Sequence, residues 1–238
     1  MKKAFFDSED VLAVFTDREG GVSKKPYDSL NLAFHVGDEF QDVLRNRKVI
    51  LDNLGIREFA WMNQVHSDTV KIIENEGESI ATDAIITKKK RIALMVMVAD
   101  CNPILIYDPV KRVVAAVHAG REGVFNRIAQ KTIEEMKREF GSNPEDVFVS
   151  VGPSIGPCCY EVGKKIIEEF RREFGEKYIR KTFFLDLKTL NFDQLVESGV
   201  KKENIEVADE CTACTSDHFS YRRHHRTGRF AGIIMIRQ

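Results

Sequence analysis

Residues 97–120, MVADCNPILIYDPVKRVVAAVHAG, carry the strongest structural signal in this chain. Two apolar runs, PILIY at 103–107 and VVAAV at 113–117, flank the turn-forming sequence DPVKR at 108–112. Apolar runs rich in β-branched residues on either side of a short Asp- and Pro-containing loop are typical of a β-hairpin. We therefore predict two adjacent antiparallel strands at the centre of the fold.

The register of this hairpin determines which residues lie beside His118. With Tyr107 opposite Val113, Asn102 faces His118, and Cys101 lies beside that histidine at the strand ends. Neighbouring strands lie about 4.8 Å apart. The hairpin therefore predicts that Cys101 and His118 are close neighbours, although a slip of one residue would turn a side chain to the other face.

The rest of the chain alternates strands and helices, with no linker or repeat, which predicts a single domain over residues 1–238. Strand pairs without an intervening helix favour a mixed α/β (α+β) fold over a doubly wound parallel sheet. Besides the hairpin, we predict strands at 11–17, 60–62, 69–73, 92–98, 147–151, 183–187, 205–208 and 229–236, and helices at 43–54, 122–140, 162–174 and 192–197.

Composition excludes several classes of protein. The 36 basic and 37 acidic side chains give a net charge of −1, which leaves no general field to hold nucleic acid. Acidic residues at positions 7, 9 and 10 interrupt the N-terminus where a signal peptide would be apolar, and the run at 92–98 is too short to cross a bilayer. An odd number of cysteines argues against a disulfide scaffold. We expect a cytoplasmic protein, a monomer or homodimer, whose partners are small molecules.

Three metal-ligating residues stand where predicted strands end. His66 lies in NQVHSD, Cys101 in ADCNP and His118 in VHAGREG. Two imidazoles and a thiolate suit a catalytic zinc ion, which keeps a fourth position open for water or substrate. The alternative is a buried, hydrogen-bonded histidine and an inert buried cysteine.

Two further hypotheses use the same residues. Cys101 and His118 could be the nucleophile and base of a cysteine hydrolase or deamidase, with Asp83 or Asp100 orienting the imidazole. A His₂Cys set is also that of a blue-copper centre, with a methionine, at position 62 or 97, as weak axial ligand. Six histidines are too few for a trinuclear copper cluster as well.

The other four cysteines form two pairs. Cys211-Thr-Ala-Cys214, followed by histidines at 218, 224 and 225, resembles a structural zinc site, but the gap from Cys214 to His218 is too short for a zinc finger. We interpret this segment as structural thiols with surface histidines. The Cys158–Cys159 pair lies in a Pro-stiffened loop, and structural packing is favoured there over a second metal or a redox role.

No phosphate-binding loop or dinucleotide fingerprint is present. Phosphate would therefore have to be held by side chains, and the arginine candidates are Arg45, Arg47, Arg121, Arg222 and Arg223.

Motifs in order along the chain resemble one bacterial family. They are REGGVS and PYDSLNLAFHVGD (18–38), NRK (46–48), WMNQVHSDTV (61–70), TDAIIT (82–87), MVADCNPILIYDP (97–109), AAVHAG (115–120), GPSIGPCCYEVG (152–163), and CTACTSDHFSYRR and TGRFAGIIMI (211–236). The family is described as multicopper polyphenol oxidoreductases (laccase domain) and as purine nucleoside phosphorylases with adenosine deaminase activity.

The resemblance implies a layered αββα sandwich with mixed sheets, shared with a bacterial toxin deamidase. It implies that His66, Cys101 and His118 hold zinc, with copper as the alternative. It also implies phosphorolysis of adenosine, inosine and methylthioadenosine, with deamination of adenosine by water as a side activity. Copper-dependent oxidation of phenols is a further family activity, which so few histidines disfavour here.

The substrate residues are assigned on chemistry within this framework. Arg47 is our first choice for phosphate, Asp83 or Asp100 would shuttle the proton in deamination, and His35 is expected near the pocket. One departure stands out: the family motif HAGWRG reads HAGREG here, with Arg121 and Glu122 in place of Trp and Arg. Glu122 would repel an anion unless Arg121 compensates.

Overall fold

The computed structural model describes residues 1–237. Within this range, five α-helices and fourteen strands alternate, and none of the helices is long and apolar enough to cross a bilayer. The helices are α1 (Phe40–Leu54), α2 (Arg121–Phe125), α3 (Ile128–Phe140), α4 (Lys164–Phe174) and α5 (Leu187–Glu197). The strands are β1 (Lys2–Lys3), β2 (Val11–Phe15), β3 (Glu58–Met62), β4 (Val70–Ile72), β5 (Gly77–Ser79), β6 (Ala84–Thr87), β7 (Ile92–Val98), β8 (Asn102–Asp108), β9 (Val113–Ala119), β10 (Phe148–Val151), β11 (Ile179–Arg180), β12 (Phe184–Leu185), β13 (Ile205–Val207) and β14 (Phe230–Ile236).

Two six-stranded sheets dominate the molecule. The first sheet has the order β1-β2-β14-β7-β3-β5 and the second the order β13-β10-β8-β9-β6-β4, while β11 and β12 form a small separate pair. Each large sheet is mixed: β7 pairs antiparallel with β14 and parallel with β3, and β10 pairs antiparallel with β8 and parallel with β13. The expected mixed sheets are confirmed.

Three apolar cores separate four layers. Ile50 of α1 packs on the outer face of the first sheet, and residues such as Phe15 and Leu105 fill the space between the sheets. Ile133 and Phe170, on α3 and α4, cover the outer face of the second sheet. Full burial of one such side chain contributes about 1.5–3 kcal/mol. The αββα sandwich is therefore confirmed. It explains why β7, β8 and β9 are apolar on both faces.

The central hairpin forms as predicted, but the predicted register is wrong by one residue. Tyr107 pairs with Val114, so His118 faces Pro103 rather than Asn102. The Oδ1 atom of Asp108 accepts the N–H groups of residues 110 and 111, which holds Asp108 at the end of its strand and shortens the loop to residues 109–112. Cys101 still directly precedes β8, beside the end of β9 that carries His118.

The helix predicted at 122–140 is two helices. Arg127 adopts a left-handed conformation with φ of 63°, which interrupts the ladder of helical hydrogen bonds between α2 and α3. The sequence pattern missed this break because the apolar spacing continues across it. The short helix α2 follows the end of β9 after a single residue, Gly120.

A second boundary also differs from the prediction. The helix expected at 192–197 begins at Leu187, because the side chain of Asp186 caps it by accepting the N–H of Thr189 at 3.1 Å. The strand expected at 183–187 is correspondingly reduced to β12.

Candidate metal centre

Three segments that are distant in sequence bring His66, Cys101 and His118 together. His118 lies near the end of β9, Cys101 directly precedes β8, and His66 lies in the loop after β3. One ligand atom from each residue lies within 4.8 Å of the other two. The two imidazole rings are nearly perpendicular, at 83°, with centroids 4.8 Å apart. The structure thus brings together the three predicted ligands.

A buried carboxylate orients His118. Asp83, just before β6, places Oδ1 at 2.7 Å from Nδ1 of His118. The backbone N–H of His118 also donates to the carbonyl oxygen of Asp83, at 2.7 Å. Of the two carboxylates considered from sequence, the structure therefore selects Asp83 as the group that orients the imidazole, and Nε2 is left to face the other two ligands.

The same carboxylate holds the loop that carries His66. Asp83 accepts the backbone N–H groups of Val65 at 3.2 Å, His66 at 3.0 Å and Ser67 at 2.7 Å, together with the Ser67 hydroxyl at 2.7 Å. These bonds stabilise a loop in which His66 itself has a positive φ of 60°. One side chain therefore fixes two of the three candidate ligands.

The centre is strongly polarised. Burial by itself would raise the pKa of the Cys101 thiol, but the charge of His118 and hydrogen bonds from both histidines lower it to about 6. Burial would lower the pKa of His118, but the Cys101 charge and the bond to Asp83 raise it to about 9. Burial opposes ionisation of Asp83 too, and hydrogen bonds from His118 and Ser67 lower its pKa to about 2. The arrangement thus favours an ionised thiolate, which is the form that binds metals and attacks electrophiles.

A glycine leaves room at the centre. A Cβ atom added at Gly120 would lie 3.1 Å from Cδ2 of His66 and 3.2 Å from Sγ of Cys101. Both contacts are closer than side chains ordinarily tolerate. Two imidazoles and one thiolate, converging beside a residue without a side chain, fit a zinc ion with one open coordination position.

A cavity of about 320 Å³ opens over these residues. Its volume is in the range of small-molecule sites. The wall combines apolar, aromatic and cationic side chains, namely His35, Gln64, His66, Met97, Val98, Ala99, Asp100, Cys101, His118, Ile155, Tyr160, Tyr221, Arg222 and Arg229. His35 therefore lies at the pocket, as expected.

Two arginines, Arg222 and Arg229, lie on this wall. Arg229, half-buried, donates through Nη1 to the carbonyl oxygens of residues 227 and 228, and burial lowers its pKa. Arg222 lies over the ring of Tyr160, with 5.4 Å between its Cζ and the ring centroid. Sequence reasoning included Arg222 among the candidates but missed Arg229, although the conspicuous TGRFAG motif contains it.

The predicted phosphate ligand Arg47 lies elsewhere. Its side chain is 5% exposed, donates from Nε to the carbonyl of Leu32 at 2.8 Å, and packs over the rings of Phe34 and Trp61 at 4.2 and 4.9 Å. The residues that line the cavity do not include it. A direct contact between Arg47 and phosphate stays a prediction. In the structure, Nη2 of Arg47 lies 3.6 Å from Sδ of Met97, which is a residue of the cavity wall.

Neither predicted proton shuttle has a free carboxylate. Asp83 lies behind His118 rather than on the cavity wall, and both of its oxygens accept hydrogen bonds from residues 65–67 or from His118. Asp100 is on the wall, but it accepts the Thr212 hydroxyl at 2.7 Å and the backbone N–H of Arg222 at 2.6 Å. Asp100 thus anchors the 212–222 segment to the start of β8.

The departure from the family motif forms an ion pair. Nη1 of Arg121 lies 2.5 Å from the Glu122 carboxylate, and both side chains are partly exposed. Neither belongs to the cavity wall. Arg121 therefore neutralises the charge that Glu122 introduces.

Known proteins are similar to this chain over nearly its full length. A family model described as multi-copper polyphenol oxidoreductase laccase matches residues 12–237. A purine nucleoside phosphorylase of Corynebacterium glutamicum is 38% identical over 235 residues, covering 95% of this chain and 94% of its own length. The purine nucleoside phosphorylase YlmD of Bacillus subtilis is 33% identical over 252 residues, covering 98% and 91%.

Solved structures agree with this assignment. The hypothetical protein YfiH of Bacillus licheniformis superposes with a TM-score of 0.92 at 33% identity, covering 95% of this chain and 93% of its own. YlmD from Geobacillus stearothermophilus superposes with a TM-score of 0.91 at 31% identity, covering 96% and 93%. The chain belongs to the polyphenol oxidoreductase laccase (YfiH-like) family, whose named relatives here are purine nucleoside phosphorylases.

Proposed function

We propose that this protein is a zinc-dependent purine nucleoside phosphorylase that cleaves adenosine, inosine and methylthioadenosine with inorganic phosphate. The observation that carries the proposal is the convergence of His66, Cys101 and His118 on the wall of a cavity of small-molecule size. The names of relatives that match almost the full length of the chain support the same activity.

His66, Cys101 and His118 would hold the ion. When bound, zinc supplies a Lewis acid with an open coordination position. Asp83 accepts the Nδ1 proton of His118 on the side away from the cavity, so Nε2 is the nitrogen that would give up its proton and offer a lone pair to the ion. The amide of Gln64 exchanges two hydrogen bonds with the backbone of Met97, at 2.8 and 2.9 Å, and so ties the His66 loop to β7.

Phosphorolysis breaks the bond between ribose C1′ and purine N9 and forms a bond from C1′ to a phosphate oxygen, while N9 leaves with a proton. Arg229 is our candidate for phosphate, because its bonds to protein carbonyls use Nη1 and leave Nε and Nη2 to face the anion. The rings of Tyr160 and Tyr221 offer faces for the purine. Burial raises the pKa of Tyr160 to about 12, so its hydroxyl remains a hydrogen-bond donor at neutral pH.

Deamination of adenosine is proposed as the slower side activity. Water must replace the amino group at C6, and a carboxylate must pass a proton to the departing amine. Asp83 and Asp100 already accept hydrogen bonds from the protein at both oxygens. Proton transfer through either would require one of these bonds to open.

The decisive assay follows adenine release from adenosine at varied phosphate concentration, with and without a chelator. We expect release that requires phosphate, stops on chelation and returns with zinc. Cys101→Ala and His118→Ala should lose the zinc ion of this centre and all turnover, while the exposed His224→Ala variant keeps both. Wild-type phosphorolysis in Cys101→Ala would disprove the metal mechanism, and a metal-loaded protein that turns over no nucleoside would be a binding module instead.

A cysteine hydrolase is the second candidate, because Cys101, His118 and Asp83 form a nucleophile, base and orienting carboxylate in hydrogen-bonded sequence. This function predicts activity that survives chelation and is abolished by thiol alkylation. The position of His66 at the same thiol favours the metal site over a simple triad.

Copper-dependent oxidation of phenols is the third candidate, from the family description. Met97 lines the cavity and could approach a copper ion, whereas Met62 is buried in the core between the sheets. A trinuclear cluster needs further histidines, and within residues 1–237 the other four do not converge. The chain's own donors therefore favour zinc. Metal analysis must be done on protein never exposed to added copper, because copper outcompetes zinc for such ligands.

A further inference from the structure

A second group of metal-ligating side chains lies apart from the first. The Sγ atoms of Cys158, Cys159, Cys211 and Cys214 all lie within 4.8 Å of one another. Sγ of Cys214 is 3.6 Å from that of Cys158 and 3.3 Å from that of Cys159. Four sulfurs around zinc, each about 2.3 Å from the ion, lie roughly 3.8 Å from each other. The four thiols are thus already spaced nearly as a tetrathiolate site requires.

Two loops deliver these thiols in pairs. Ser154 and Cys211 form a parallel bridge, and the N–H of Thr212 donates to the carbonyl of Ser154 at 3.1 Å. The N–H of Cys214 donates a hydrogen bond to the carbonyl oxygen of Cys211 at 3.0 Å, which folds the Cys-x-x-Cys segment into a turn. This turn sets the sulfurs of Cys211 and Cys214 against the loop at 156–160.

The backbone around the cluster suits thiolates. The N–H of Gly156 donates to Sγ of Cys211 at 3.2 Å, as in charge-assisted hydrogen bonds to an anion. A Cβ atom at Gly156 would lie 3.3 Å from Sγ of Cys158 and 3.4 Å from Cβ of Cys211. Glycine at this position therefore allows the loop to close on the sulfurs.

Three cations surround the two loops. Lys188, 7% exposed, places its ammonium 2.6 and 2.8 Å from the carbonyl oxygens of Ala208 and Glu210, just before Cys211. Arg222 donates to the carbonyl of Cys159 at 2.8 Å, and Arg223 donates to that of Thr212 at 2.7 Å. A zinc ion with four thiolates has a net charge of −2. Cations bound to the two loops that carry the thiolates offset part of such a charge.

We propose that Cys158, Cys159, Cys211 and Cys214 form a second, structural zinc site with four thiolate ligands. The site ties the loop that carries Tyr160 to the segment that leads to Arg222, so it fixes part of the cavity wall without contributing to the reaction. The histidines after Cys214 are not ligands: His218 is buried against the ring of Phe230 at 4.7 Å, and His224 and His225 are exposed. The expectation of surface histidines is therefore wrong for His218. This proposal does not depend on the nature of the reaction.

The test counts zinc ions per chain after purification under reducing conditions and removal of free metal. We expect two ions in the wild type, one in Cys101→Ala, one in Cys158→Ser/Cys214→Ser, and none in the triple variant. The Cys101→Ala chain, reconstituted with cobalt, should show the sulfur-to-cobalt charge-transfer and visible bands of a tetrathiolate. The triple variant should lose these bands.

The Cys101→Ala variant tests the second zinc site even if the serine variants do not fold. One ion and a tetrathiolate spectrum in Cys101→Ala support the second site, whatever the phosphorolysis assay shows. If Cys101→Ala binds no ion after zinc loading, the proposal of a second zinc site is wrong. A metal-free chain whose mass is lower by two hydrogen atoms would also overturn the proposal, if two of its thiols react with an alkylating agent only after reduction. That result would identify a redox disulfide instead.

Discussion

Replacing Asp83 by Asn tests whether one carboxylate organises the metal centre. Asp83 accepts five hydrogen bonds: Oδ1 from His66 N–H and His118 Nδ1, and Oδ2 from the N–H groups of Val65 and Ser67 and the Ser67 hydroxyl. Asparagine offers one acceptor oxygen and one amino group. The orientation that places the oxygen at Oδ2 keeps three of these bonds and is therefore favoured.

In that orientation the asparagine amino group faces His118. Nδ1 of His118 must then accept a hydrogen bond, which moves the ring proton to Nε2 and removes the lone pair that a metal needs. The lost bond at His66 N–H costs about 1.5–3 kcal/mol of folding stability. We expect the fold to survive and zinc affinity to fall by roughly 10- to 100-fold, as is typical when a partner of a metal-binding histidine is changed.

Zinc affinity is measured by competition with a chromophoric chelator, and stability by chemical denaturation of the metal-free chains. Ser67→Ala is the matched control: it removes the hydroxyl bond to Oδ2 but leaves His118 untouched. It should cost about 1 kcal/mol of stability and leave zinc affinity unchanged. Zinc binding by Asp83→Asn within twofold of the wild type, or an equal loss of zinc affinity in Ser67→Ala, would refute this role of Asp83. Both measurements should be made on Cys158→Ser/Cys214→Ser chains as well, so that the second site does not contribute.

Three other substitutions test separate parts of the molecule. Gly120→Ala adds a methyl group 3.1 Å from His66 and 3.2 Å from Cys101, so we expect weaker zinc binding and slower turnover in the same two assays. Arg229→Gln removes a cation from the cavity wall and should raise KM for phosphate by about tenfold or more, with a smaller effect on KM for the nucleoside. Leu105→Ala empties a fully buried site between the sheets and should lower the unfolding free energy by about 2–5 kcal/mol in denaturant titrations.

Each of these has a control in the same chain. Gly163→Ala adds a methyl group with no atom within 4 Å, at an ordinary backbone conformation, and should leave zinc binding unchanged. Arg45→Gln removes an exposed charge on α1 and should leave both KM values unchanged. Leu44→Ala, at a side chain that is 40% exposed, should cost far less stability than Leu105→Ala. Equal effects in a pair would contradict the corresponding structural argument.

The register of the central hairpin was predicted wrongly because the sequence pattern did not reveal the exact length of its loop. Alternation and turn residues predicted the strands correctly, but the loop length was set by the side chain of Asp108 accepting two backbone N–H groups. Apolar residues on both faces carry no alternation that could have fixed the register, because each strand is covered on both sides. Cys101 and His118 remain neighbours despite the error, because a slip of one residue moves the facing position by one step only. His118 pairs with Pro103, and Cys101 lies two residues before Pro103.

Asp83 and Arg229 take their positions from contacts between segments that are distant in the sequence. Asp83 was considered from sequence only as one of two carboxylates, and β6, which presents it, was not predicted as a strand. It reaches His118 because β6 pairs with β9, although the two residues are 35 positions apart. Arg229 comes to the cavity from the start of β14 in the other sheet. Pairing between distant strands is decided by the packing of whole layers, and one sequence contains no direct record of it.

Side-chain chemistry and local periodicity were enough to predict the apolar strands, the mixed architecture and the identity of three metal-type ligands. The carboxylate that supports those ligands, the arginines that face the cavity, and the convergence of four cysteines from two loops became visible in the folded molecule alone. These depend on distances between segments far apart in the chain, which the stacking of two sheets and the closure of their connecting loops set together.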